Sequence, residues 1–143
     1  MKRKLLVLVL GITFLIVMTF LATIVDTIVP RRPSPQVQTA QAGPYQVTLQ
    51  VDPNPPLITQ PAALSLRIVR HDSQPLASAA HIAIETTMQT MDMGTDRADA
   101  QAQSPGTYQV HVQFSMSGPW QVRVQVAEPG QPAQSATFEV TAQ

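Results

Sequence analysis

Two hydropathy patterns divide the chain. Residues 5–25, LLVLVLGITFLIVMTFLATIV, run for 21 residues without a charge. From Tyr45 onward apolar and polar residues alternate with period two, the pattern of half-buried strands. Tyr45, Val47, Leu49 and Val51 alternate with Gln46, Thr48 and Gln50, and Asp52-Pro53-Asn54-Pro55-Pro56 stops that strand. Leu64, Leu66 and Ile68 alternate with Ser65 and Arg67, ahead of a turn over residues 71–75. Ile82, Ile84, Thr86 and Met88 mark one face of a third strand, with His81, Ala83 and Glu85 on the other. Residues 95–103 predict a short polar edge strand, and Pro105-Gly106 a turn. Tyr108, Val110, Val112 and Phe114 alternate with Gln109, His111 and Gln113. After Ser117-Gly118-Pro119, Trp120, Val122, Val124 and Val126 alternate with Gln121, Arg123 and Gln125. A turn over residues 128–132 precedes a last strand carrying Ala136, Phe138 and Val140.

This pattern predicts about seven strands and no amphipathic helix in the body. A single sheet would leave its apolar face wet, whereas two stacked antiparallel sheets bury both inner faces. The expected fold is therefore all-β, an immunoglobulin-like antiparallel β-sandwich over residues 43–143. The chain contains no Cys, so no inter-sheet disulfide supports it. Trp120 and the aliphatic residues must hold the core, at roughly 1.5–3 kcal/mol for each large apolar side chain buried.

The first segment reads as a membrane element. At 1.5 Å per residue, the run over 5–25 spans about 30 Å as a helix, the thickness of a bilayer core. Lys2, Arg3 and Lys4 precede it and favour a cytoplasmic basic tail over residues 1–4. A cleaved signal peptide competes with this reading, and Ala40-Gln41-Ala42 has the small-residue form of a cleavage site. That motif lies far beyond the apolar run, behind Asp26, Arg31 and Arg32, and a signal core spans only about 7–15 residues. The expectation is an uncleaved single-pass anchor in the cell membrane, with the C-terminal domain outside the cytoplasm. Residues 26–42, Pro-rich and without apolar periodicity, are expected to be a semi-extended linker, with Arg31 and Arg32 at the headgroups.

Charge narrows the partners. The formal net charge is zero, but Lys2, Arg3, Lys4, Arg31 and Arg32 all precede the body. Beyond Gly43 the cations are Arg67, Arg70, Arg97 and Arg123, outnumbered by Asp52, Asp72, Glu85, Asp92, Asp96, Asp99, Glu128 and Glu139. An acidic body without Lys is a poor nucleic-acid binder. The sequence holds no Gly-rich phosphate loop, HExxH or GxSxG motif, and a non-enzymatic role is expected.

Three segments together resemble a known family. Met88-Gln89-Thr90-Met91-Asp92-Met93-Gly94, then Pro105-Gly106-Thr107-Tyr108, then the hairpin Met116-Ser117-Gly118-Pro119-Trp120-Gln121-Val122-Arg123-Val124 look like the YtkA-like family, which is related to FixH-type proteins. The resemblance covers roughly residues 44–141. It implies a small extracytoplasmic domain, often membrane-anchored. Through the FixH relatives it implies a link to copper supply or to assembly of heme–copper oxidases.

The candidate chemistry lies in methionine and histidine. Thioether sulfur is a soft ligand that suits Cu(I) and needs no deprotonation. Met91 and Met93, at i and i+2 in extended chain, point the same way. Met116 approaches them if the two loops share one end of the sandwich, and His111 lies five residues earlier. The expected metal ligands are Met91, Met93, Met116 and His111, with Cu(I) as the ion. Zn(II) should bind poorly without Cys or clustered His. Met is also a flexible core filler. Met88 follows the inward register of Ile82 and Ile84 and is expected in the core, and packing or a partner surface competes with metal for the other three. His81 and His71 read as solvated residues, and Asp92 as a solvated turn residue. The alternative function is a metal-free interaction module docking on a membrane or envelope complex.

Overall fold

The computed structural model describes residues 11–21, 33–74, 76–77 and 79–143. The chain divides into two compact units, residues 1–32 and 33–143. In the first, residues 11–21 are helical, and Ile12, Phe14, Leu15, Ile16, Val17, Met18 and Leu21 are all exposed. Among the described residues no helix is long and apolar enough to cross a membrane. The remainder of the expected anchor over 5–25, and the basic tail over 1–4, lie outside the described residues.

Among the described residues the second unit holds nine strands: β1 (Val37–Ala42), β2 (Tyr45–Asp52), β3 (Ala62–Arg70), β4 (His81–Met88), β5 (Thr95–Asp99), β6 (Gln101–Ser104), β7 (Thr107–Val112), β8 (Gly118–Ala127) and β9 (Gln134–Ala142). They form a five-stranded sheet in the order β1-β2-β3-β7-β6 and a four-stranded sheet in the order β5-β4-β8-β9. Every pairing is antiparallel.

The inner faces are those the alternation marks. Val47, Leu49 and Val51 of β2 are buried, as are Leu64, Leu66 and Ile68 of β3. From the second sheet come Ile82 and Ile84, then Val122, Val124 and Val126, then Phe138 and Val140. Met88 is buried among them. Trp120 and Phe114 meet edge to face, ring centres 5.4 Å apart and planes at 68°, the arrangement that brings a positive ring edge onto a negative face.

Nine strands replace the expected seven, for two reasons. The stretch over 95–103 is two strands rather than one. It pairs with β4 as β5, switches sheets at Ala100, whose N–H donates to the Ile82 carbonyl at 2.8 Å, and pairs with β7 as β6. The other addition is β1, which lies inside the expected linker. Three of its side chains are polar and only Ala42 is buried, so no apolar period betrays it. Backbone pairing to β2 over the whole register from Val37↔Gln50 to Ala42↔Tyr45 makes it a strand. Gly43, at φ +56, opens the two-residue turn that joins them, and a positive φ at that place favours glycine. The sandwich therefore begins before residue 43, and the stretch left as linker is shorter than expected.

Candidate functional site

One end of the sandwich gathers the loops that carry the candidate chemistry. Met88 at the close of β4 faces Trp120 near the start of β8. The loop over 89–94 leaves from that point, and the loop over 113–117 arrives there. Each loop is tied to β8 by one hydrogen bond. The Gln89 N–H donates to the Pro119 carbonyl at 3.0 Å, and the Trp120 indole Nε1–H donates to the Met116 carbonyl at 3.0 Å. In the first loop the Asp92 carboxylate accepts the Gly94 N–H at 3.3 Å, closing a tight turn around Met93.

Met91, Met93 and Met116 are 48%, 50% and 38% exposed, so packing does not consume their thioethers. The structure brings all three to one end, on loops of neighbouring strands. His111 lies on a strand rather than on these loops, one residue before β7 ends. It sits on β7 opposite Ala63, exposed, and lines a flank cleft of about 200 Å³ with Asp96, Arg97 and Thr86. His81 is exposed, with Nε2 3.2 Å from the Asp99 carboxylate. His71 occupies an exposed turn. Among the described residues no three His, Asp or Glu side chains gather as a metal-holding group. The candidate donors at this end are the three thioethers, which as soft neutral ligands suit a soft monovalent ion, with the Asp92 carboxylate in the same loop as Met91 and Met93.

The opposite end holds a charged cluster that the sequence reading did not single out. The Glu128 carboxylate is buried. It accepts the Tyr45 hydroxyl at 2.7 Å, the Ala77 N–H at 2.8 Å and Arg70 Nη1 at 3.2 Å. Arg70 also pairs with Asp72 at 3.1 Å. The Ala77 N–H, the Tyr45 hydroxyl and the Arg70 charge hold the Glu128 carboxyl below the usual carboxylate range, outweighing its burial. Burial and the neighbouring carboxylate push the Tyr45 hydroxyl up. This cluster braces β2, β3, the 71–80 loop and the end of β8. Its one sequence signal is the inward register of Tyr45, which demands a partner for a buried hydroxyl.

Fold and surface together define a small two-sheet β-domain with exposed methionines on its end loops. The YtkA-like family model matches residues 39–125, and the chain belongs to the YtkA-like family. The matched stretch takes in both methionine loops and the Pro105-Gly106 turn. No curated protein matches the chain.

Proposed function

We propose that this protein is a membrane-anchored, extracytoplasmic, non-enzymatic accessory that binds Cu(I) and serves copper supply to, or assembly of, a heme–copper oxidase. One observation carries the reading. Three exposed thioethers sit on two loops at one end of the fold, each loop tied by a hydrogen bond to β8. Met91, Met93 and Met116 are the ligands, and His111, out on the flank, is an auxiliary one. The ion is cargo, held by neutral ligands that neither take up nor release a proton. Anchoring is supported by the charge-free run over 5–25 and by apolar side chains exposed around the helix over 11–21. The resemblance to FixH-type proteins supports the oxidase connection.

Competition with a chromogenic Cu(I) chelator tests the copper reading on the full chain in detergent. Submicromolar withdrawal of Cu(I), abolished in the triple variant Met91→Ala, Met93→Ala, Met116→Ala, is the expected result. No withdrawal by the unmodified protein would reject it. A second reading, a metal-free interaction module docking on a membrane or envelope complex, is favoured by Leu57 and Ile58, exposed on another loop of the same end.

A further inference from the structure

Exposed apolar residues are not spread over the sandwich. Among the described residues of this unit, the exposed large apolar side chains are Val37, Leu57, Ile58, Val69, Met91, Met93 and Met116. All but Val69 lie at the end where β1 and β3 begin and where β4 and β7 finish. The loops there, over 53–61, 89–94 and 113–117, carry a single charged side chain, Asp92, with Asp52 at the end of β2 and Glu139, whose carboxylate accepts the Gln89 amide at 3.3 Å, beside them. The far end holds Arg70, Asp72 and Glu128. An apolar patch of this kind marks a contact surface.

The chain leaves the sandwich at this same end, and its exit is fixed. The Asn54 amide donates to the Ser34 carbonyl at 2.9 Å, and the Ser34 hydroxyl accepts the Thr141 N–H at 3.2 Å. The Val51 N–H donates to the Gln36 carbonyl at 3.0 Å. Residues 26–33 are all that separate this clasp from the apolar run over 5–25. Fully extended they reach about 30 Å. The backbone N–H and carbonyl of Ile58 are both paired within the fold. The Ile58 N–H donates to the Gln143 carbonyl at 2.9 Å, the Gln143 N–H to the Pro56 carbonyl at 2.9 Å, and the Gln113 amide to the Ile58 carbonyl at 2.6 Å. At Ile58 the loop can therefore meet an apolar medium without stranding its backbone.

We propose that the end bearing Leu57, Ile58, Met91, Met93 and Met116 rests on the lipid surface of the membrane, with these side chains dipping into the interface. The inference rests on the reading of residues 5–25 as an anchor. The short tether and the clasp at Ser34 select this end over the charged one. With no cation on its loops to draw anionic headgroups, the contact is apolar and insensitive to salt. It would keep the thioethers at the bilayer surface, where a membrane-embedded acceptor is reached by lateral diffusion.

The chain has no Cys, so single-cysteine variants can be labelled with an environment-sensitive fluorophore. Ile58→Cys and Met93→Cys report on the apolar end and Gln131→Cys on the opposite turn, all in the full chain reconstituted into phosphatidylcholine vesicles. The expected result is a blue shift, with quenching by brominated lipid, at 58 and 93 and neither at 131, unchanged by added salt. Flotation of the protein with vesicles while all three labels read as water leaves the anchor standing and overturns the surface contact. Failure to float overturns the anchor and the contact with it. A blue shift at 58 and 93 that disappears as the protein is diluted in lipid assigns the surface to a protein partner, and overturns the proposal.

Discussion

The indole of Trp120 reaches out of the core and holds the Met116 carbonyl at 3.0 Å. One residue thereby serves two links of the chain from packing to site. Its ring packs on Phe114 in the interior, and its N–H fixes the backbone of a loop that carries a candidate ligand. The two roles separate by substitution.

Trp120→Ala should cost about 3–5 kcal/mol, as expected for emptying a large buried aromatic site. Trp120→Phe keeps most of the ring contact and loses only the hydrogen bond, at about 1 kcal/mol. Denaturant unfolding gives both values. In the Phe variant Cu(I) affinity should fall more than stability does, because the loop over 113–117 loses its tie. Equal stability of wild type and the Ala variant would show that Trp120 is not part of the core.

Removing the three exposed methionines should leave the fold almost untouched. Surface substitutions of this kind stay within about 0.5 kcal/mol. The triple alanine variant should therefore unfold at nearly the wild-type midpoint while losing Cu(I). His111→Ala should retain most of the affinity, since His111 stands on the flank. Chelator competition and thermal unfolding of the same samples check these outcomes, and a loss of affinity in the His111 variant equal to that of the triple variant would move the site to the cleft.

Glu128 makes stability depend on pH on the acid side. Its folded-state pKa is lowered, so the carboxylate's contribution is fully present above the ordinary value of 4.5 and is lost as pH falls through the lowered folded value. Glu128→Gln should remove about 2 kcal/mol at neutral pH, in the range for hydrogen bonds to a charged group. It should also flatten the acid limb of a plot of stability against pH. An unchanged acid limb would show that the brace over Tyr45, Ala77 and Arg70 does not form.

Two glycines with left-handed backbone should respond differently. Gly106 has φ +75, and a Cβ there would lie 2.9 Å from the Ile68 carbonyl oxygen. That oxygen belongs to backbone of β3 already paired nearby, with the Ile68 N–H donating to the Gly106 carbonyl at 2.8 Å. Gly130 has φ +77 and open space around it. Gly130→Ala should cost about 1 kcal/mol, from backbone strain alone. Gly106→Ala should cost about 2–3 kcal/mol, because strain and a clash with backbone add. Thermal melts of the two variants would settle the order.

The inward and outward faces of β2, β3, β4, β7, β8 and β9 are legible in the chain, since burying one face of a strand forces a two-residue period on its side chains. Met88 and Trp120 are placed in the core by the same rule. β1 is not legible, because a half-exposed strand of Gln, Thr and Ala is held by ladder hydrogen bonds, which leave no mark on side-chain type. Nor is the division of residues 95–104 between two sheets, which turns on a single backbone bond from Ala100 to Ile82. For the site, residue chemistry alone names Met91, Met93 and Met116. Their gathering at one end follows from the pairing of β4 with β8, and His111's place on the flank from the pairing of β7 with β3. Glu128 reads as an ordinary turn acid until Tyr45, Arg70 and Ala77 arrive from distant parts of the chain. Periodicity is local and can be read residue by residue. Which strand lies beside which, and so which loops share an end, depends on long-range pairing that only the folded chain decides.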